Sequence, residues 1–216
     1  MSGRYANVKE LGNGQINQDI FVLACLNKKQ NGTFLEIGSE HPIIINNTYF
    51  LETKYHWRGV MVEYNSDYVD MYKFYRPGSV HVIDDARNID YKRVLEENGF
   101  PHDIDFMQID LHVSNDSTMA TLERLDRDIL DTYTFATVCF EHDEYTGDTH
   151  ETRRRSREIF DRRGYVRLFP DVENMEDWYI HPRLVTNPVV LNLKTEESLS
   201  ASEVKERLLA VIGGAA

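Results

Sequence analysis

Cysteine is nearly absent: Cys25 and Cys139 are the only two in 216 residues, and each lies inside an apolar segment. Such a chain has no disulfide framework to fold around, and both thiols are expected to be buried, free and uninvolved in catalysis. No apolar run approaches the roughly 18 residues that a membrane span needs, and the N-terminal "MSGRYANVKE" lacks the apolar stretch of a secretory signal. A cytoplasmic location without a membrane span is the resulting expectation. Basic residues are scarce too: 24 Lys and Arg against 36 Asp and Glu leave a formal charge of −12. That field repels phosphate backbones and argues against nucleic acid as a partner. The one basic run, "TRRRSRE" around Arg153 to Arg157, reads either as a solvated helix face or as a local site for an anionic group such as a sugar-linked phosphate.

What is present points to a folded chain. Apolar residues make up 41% and charged residues 28%, an ordinary globular composition, and the length suits one substantial core rather than two. We therefore expect a single domain over residues 1–216, with an N-terminal helical extension (1–31), a core (32–192) and a C-terminal helix (193–216). Ile16, Ile20, Phe21, Leu23 and Ala24 recur at helical spacing between Gln15 and Lys28. Strand-like "TFLEI", "GVMVEY", "VHVIDDA", "DFMQIDL" and "FATVCFEHD" then alternate with helical segments, which predicts a parallel sheet covered on both faces. After Gly164, "YVRLF" and "DWYIHPRLV" are separated only by "PDVENME", too short for a helical crossover, so these two should pair antiparallel. An α/β sheet closing in such a hairpin is the Rossmann-like layout of class I S-adenosylmethionine (SAM)-dependent methyltransferases, with seven strands.

In open α/β sheets, ligands bind beyond the carboxyl ends of the strands. The first strand ends Glu36-Ile37-Gly38-Ser39, where glycine permits close backbone approach and the carboxylate suits a cationic ammonium or sulfonium. The second ends Glu63-Tyr64, at the separation where an acid takes ribose hydroxyls. The third ends at Asp85-Ala86, whose carboxylate suits an adenine amine. Glu36, Glu63 and Asp85 would thus line amino acid, ribose and adenine in order. NAD fits less well, because its pyrophosphate calls for a fuller glycine-rich turn. The fourth and fifth strands end in "QIDLHVSND" and "CFEHDEY", which predicts a cluster of Asp110, His112, Glu141 and His142. Such a cluster deprotonates a hydroxyl either through His112 or His142 as base, or through a divalent metal on the carboxylates. Trp178 and Tyr179 are either core or a platform for a sugar ring; His181 is either a loop histidine or part of the acceptor site.

The pieces "GQINQDIFVLACLNKKQNGTFLEIG", "NNTYFLETKYHWRGVMVEYN", "FMQIDL", "VCFEHD" and "EDWYIHP" resemble the FkbM-type methyltransferases over roughly residues 14 to 185. The resemblance implies a SAM-dependent O-methyltransferase acting on a hydroxyl of a sugar, glycan or natural product. It further implies Glu36 and Gly38 in the cofactor turn, Asn47 and Thr48 opening the next helix, Glu63 at the ribose and Asp110 closing the fourth strand. Two positions depart from the family pattern. His41-Pro42 stands where many members have Asp-Gly, and His112-Val113 where many have Glu-Gly. Either change marks a subgroup with its own acceptor, or a degenerate site. We therefore expect a carbohydrate O-methyltransferase, with a catalytically silent binding module or a natural-product O-methyltransferase as alternatives.

Overall fold

The computed structural model describes residues 12–147 and 149–214, so the first eleven residues of the expected N-terminal extension lie outside the described part. Helix α1 (Gln18–Cys25) precedes strand β1 (Thr33–Ile37), followed by α2 (Tyr49–Tyr55), β2 (Arg58–Glu63), α3 (Val69–Tyr75) and β3 (Val80–Ile83). The chain continues through α4 (Tyr91–Glu97), β4 (Asp103–Ile109), α5 (Ser117–Asp128), β5 (Thr134–Glu141) and α6 (His150–Arg162). It closes with β6 (Val166–Val172), β7 (Glu176–Ile180), α7 (Pro188–Leu191) and α8 (Ala201–Gly214). The seven strands form one sheet in the order β3-β2-β1-β4-β5-β7-β6. Only β7 runs against the others, pairing antiparallel with both β5 and β6. This is the Rossmann-like class I methyltransferase fold that the alternation predicts. Among the described residues, no helix is long and apolar enough to cross a membrane.

Departures from the sequence expectation are local. Helix α1 is shorter than Gln15–Lys28, because Asn17, Asn27 and Lys28 take positive φ and bracket it. Strand β3 stops at Ile83, where Asp85 turns the chain by accepting from the Arg87 amide. Strand β6 continues past Phe169 through Pro170 to Val172; it lies at the sheet edge, where proline removes no shared ladder bond.

Alternation of side chains across the sheet builds two core layers. Phe34, Met61, Phe106, Cys139 and Trp178 face α1, α2 and α8, whereas Leu35, Val62, Ile109, Phe140 and Tyr179 face α4, α5 and α6. The same phase places Glu36, Glu63, Gln108, Glu141 and Glu176 on the α1 face. His142 and Asp177 fall on the α6 face. Cys25 and Cys139 are both buried and free.

Candidate active site

At the carboxyl end of β1 the neighbours lie on opposite sides: β2 on one and β4 on the other, which is where open α/β sheets leave a crevice. Gly38 sits there with φ +86, and a Cβ on it would lie 1.7 Å from the Asp110 carbonyl oxygen. Its amide and that of Ser39 both donate to the Val62 carbonyl, while the Asp110 amide donates to Ile37. Ile37 itself is core, fully buried, and offers only backbone.

Glu36 is 1% exposed. It accepts from Thr48 Oγ1 at 2.8 Å and Asn46 Nδ2 at 3.1 Å. Burial, opposed in part by the Arg76 charge, pushes its carboxyl from 4.5 up to about 7. Fully buried Arg76 is the hub of this loop, donating to Glu52, the Pro42 carbonyl, Asn46 and Thr48. His41-Pro42 is thereby accounted for: His41 Nδ1 accepts the Ile43 and Ile44 amides, and Pro42 contributes its carbonyl rather than an N–H. Ser39 Oγ meets the Tyr72 hydroxyl, which donates to the Glu40 carbonyl. Asn47 accepts from the Gln15 amide, tying the N-terminal segment to this loop. Arg76 and Asn46 carry no pattern that marks them in sequence as partners of Glu36, nor does Tyr72 as a partner of Ser39.

Next along the rim, Glu63 accepts the Glu40 amide at 2.8 Å and the Asn65 amide at 2.7 Å. Tyr64 beside it is 77% exposed. Asp85 forms a bidentate pair with Arg87, which holds its carboxyl below the usual range. A guanidinium therefore occupies the carboxylate expected to meet an adenine amine. Ala86 is buried, and its carbonyl accepts from Tyr91.

At the other end of the rim, Asp110, Glu141 and Asp143 converge. Burial and the neighbouring Asp110 charge push Glu141 far above the carboxylate range, with Asp143 alongside. Burial raises Asp110 and Asp143 as well, while His112, exposed at the rim, acts electrostatically on both in the opposite sense. Asp143 Oδ1 is buried without a hydrogen-bond partner. Below them Glu176 accepts from Gln18, Gln108 and Trp178. Burial and Asp110 push it from 4.5 up to about 7. This stretch of the rim is acidic, desolvated and short of cations.

One expectation needs correction, and three pairs of alternatives resolve. His142 does not join Asp110: it points to the α6 face, is fully buried, and sets Nε2 3.4 Å from Asp171 and 3.5 Å from Asp177. An enclosed ring on that face cannot take a proton from an acceptor above β4, because each step along a strand reverses the side chain. Trp178 and Tyr179 are fully buried core, bonded to Glu176 and Asp177, and form no platform. His181 lies at the far end of the sheet, its amide on the Ala136 carbonyl and its ring edge-on to Tyr165. The basic run is only in part a solvated face, since Arg153 and Arg157 clamp Asp171 and Asp177. His142, Asp171 and Asp177 do offer three ligand atoms within 4.8 Å of one another, but the same guanidiniums already hold both carboxylates, which disfavours a further cation there.

No protein-family model matches the sequence, and no curated protein matches it. Among solved structures, the chain is similar to a TehB-like SAM-dependent methyltransferase from Corynebacterium glutamicum, with 13% identity over 76% of this chain and 87% of that one and a TM-score of 0.48. It is similar to a precorrin-6y C5,15-methyltransferase from Geobacter metallireducens, with 14% identity over 82% and 92% and a TM-score of 0.42. A protein of the NADB-Rossmann superfamily from Streptococcus agalactiae gives 13% identity over 89% and 93% and a TM-score of 0.43. Overlaps this loose say nothing about chemistry.

Proposed function

We propose that the chain is a SAM-dependent O-methyltransferase of FkbM type that methylates a hydroxyl of a sugar or glycan. The observation that carries this reading is the row of desolvated, uncompensated carboxylates on one face of the rim, meeting where Gly38 packs against Asp110. Acids held above their ordinary pKa by burial are stabilised by an incoming cation. The residues fit the cofactor on that ground: a sulfonium and an ammonium are the charges this end of the rim lacks. Glu63, which meets two backbone amides, keeps lone pairs for ribose hydroxyls. Bound SAM supplies an electrophilic methyl group on positively charged sulfur.

The chain's own residues do the rest. Glu36, Asn46, Thr48 and Arg76 hold the turn after β1 rigid, so that Gly38 and Ser39 present backbone at the crevice. His112, exposed beside Asp110 and Asp143, takes the acceptor hydroxyl's proton as the oxygen attacks, and the carboxylates stabilise the imidazolium formed.

Calorimetry with S-adenosylhomocysteine tests the cofactor reading: saturable binding is expected, and none at millimolar ligand sinks it. Gly38→Ala should abolish that binding, because its Cβ displaces the Asp110 carbonyl. His112→Ala should keep binding and lower turnover by about 10² to 10⁴ on an accepted sugar; turnover left intact refutes His112 as base. Sealing of Glu36 inside its own loop favours one second reading, a silent binding module, which binding without turnover on any acceptor would establish.

A further inference from the structure

The basic run has a second aspect that methyl transfer leaves unused. Between α6 and the edge strand β6 runs a groove of ≈ 360 Å³ lined by His150, Arg153, Arg154, Arg157 and Arg167, with Glu158 and Asp161 on its wall. Four guanidiniums in one groove are anomalous in a chain of net charge −12, whose overall field keeps anions away. Their own ion pairs do not use them up equally. Arg153 and Arg157 are anchored by Asp171 and Asp177, of which Asp177 is fully buried on β7. Arg154 bridges Glu151 and Glu158 along the exposed side of α6. Arg167, rising from β6, is different: its Nη1 is buried and has no hydrogen-bond partner.

A buried, unpartnered guanidinium nitrogen is costly unless an acceptor arrives from outside the chain. Anchoring of Arg153 and Arg157 fixes two more forks in place, so little side-chain entropy is lost when an anion docks. Phosphate matches this set, with several strong acceptor oxygens for planar donors. The volume accommodates a phosphate and a small attached group but not a polymer.

We propose that this groove binds a phosphate group, either free or as the monoester of a sugar-sized molecule. The site is independent of the methyl-transfer reading. Its centre lies along α6 and β6, on the opposite face of the sheet from Asp110 and Glu141.

Calorimetry of the full chain at neutral pH would compare sodium phosphate, glucose 1-phosphate and glucose, with sodium chloride at matched ionic strength as blank. Saturable binding of both phosphate compounds, and none of glucose, is expected. Arg167→Gln should weaken it by about tenfold or more. Should that variant melt early, Arg154→Gln, at a side chain 57% exposed, provides the same loss without a buried change. Arg93→Gln, on the exposed surface of α4, should leave binding as it was. Tighter glucose 1-phosphate than phosphate identifies a monoester, and equal affinities identify the free anion. Absence of saturable heat with either compound overturns the proposal, as does binding unchanged in both groove variants.

Discussion

Glu176 and Asp177 are adjacent on β7 and equally buried, yet their carboxyls are displaced in opposite directions. Burial and the Asp110 charge push Glu176 up to about 7, whereas Arg157 and His142 hold Asp177 well below the carboxylate range against its own desolvation. One step along a strand separates them onto two faces, and only the α6 face carries arginines that reach in. Glu141 and His142 on neighbouring β5 repeat the split. The difference teaches what each face is for. On the α6 face Asp171 and Asp177 have their cations built into the fold; on the α1 face the acids Glu36, Asp110, Glu141 and Glu176 accumulate with Arg76 as the nearby guanidinium, which pairs directly with Glu52 and reaches Glu36 only through its charge. A fold that neutralises one cluster so fully and leaves the next uncompensated leaves room for a charge that the chain does not itself supply.

Removing the built-in cation should break the comparison most forcefully. Arg157→Met strands Asp177, fully buried, and half of the Asp171 pairing. We expect a loss of about 3–5 kcal/mol in urea denaturation, because the stranded charge keeps its desolvation penalty. Asp177 should then behave like Glu176, its carboxyl rising on NMR titration. Adding Asp177→Asn to Arg157→Met should recover part of the loss, and a double variant as unstable as the single one would show that packing, not charge, dominates there.

The second effect is in the pH dependence. Glu176 binds its proton more tightly folded than unfolded, with a pKa of about 7 against 4.5. Its stabilising contribution is complete below the unfolded value and disappears as pH rises through the folded one, a change of up to about 3 kcal/mol. Glu36, raised to about 7, and Asp19, raised by burial to about 6, act in the same direction. Asp177 acts the other way: its depressed pKa contributes stability that is present above the ordinary aspartate range and lost on stronger acidification. Urea midpoints should therefore rise from about pH 8 to about pH 5 and fall again below about pH 3. Glu176→Gln should narrow the first difference. An identical pH profile in that variant would place the titrating group elsewhere. Saturating S-adenosylhomocysteine, which has no sulfonium, should flatten the profile less than SAM does.

Much of this was legible in the sequence because alternation is a local signal. The order of strands and helices, the closing hairpin and the placing of Glu36, Glu63, Asp110 and Glu141 near the carboxyl ends of parallel strands follow from period-2 runs ending in acids. Even the separation of Glu141 from His142 was open to that rule, since Val138, Phe140 and His142 share a phase; grouping both at one rim ignored it. Other features depend on distance in space. Arg76 meets Glu36 forty residues away in sequence, and Arg157 meets Asp177 across the edge of the sheet, pairings that no spacing encodes. Helix α7, Pro188–Leu191, is a single turn, shorter than any window in which helical periodicity can be seen. Arg87, two residues on, competes locally for the Asp85 carboxylate, a pairing that no strand or helix period marks.

The smallest expected effect sharpens the comparison from the side of the backbone. The loop that seals Glu36 on the uncompensated face holds Ile45 at φ +50 with half its surface exposed. A β-branched residue is poorly suited to the left-handed region, because its branched Cβ crowds the following carbonyl. Asparagine adopts that region readily and gives up little burial at so exposed a position. Ile45→Asn should therefore stabilise the chain by about 1 kcal/mol in urea denaturation, with the neighbouring Asn46 contacts to Glu36 and Arg76 unchanged. The rim loop would then prove to hold strain, as expected where a fold keeps a site open rather than filling it. A variant no more stable than the parent would mean that Ile45 recovers the strain through its apolar contacts, and the asymmetry between the faces would be one of charge alone.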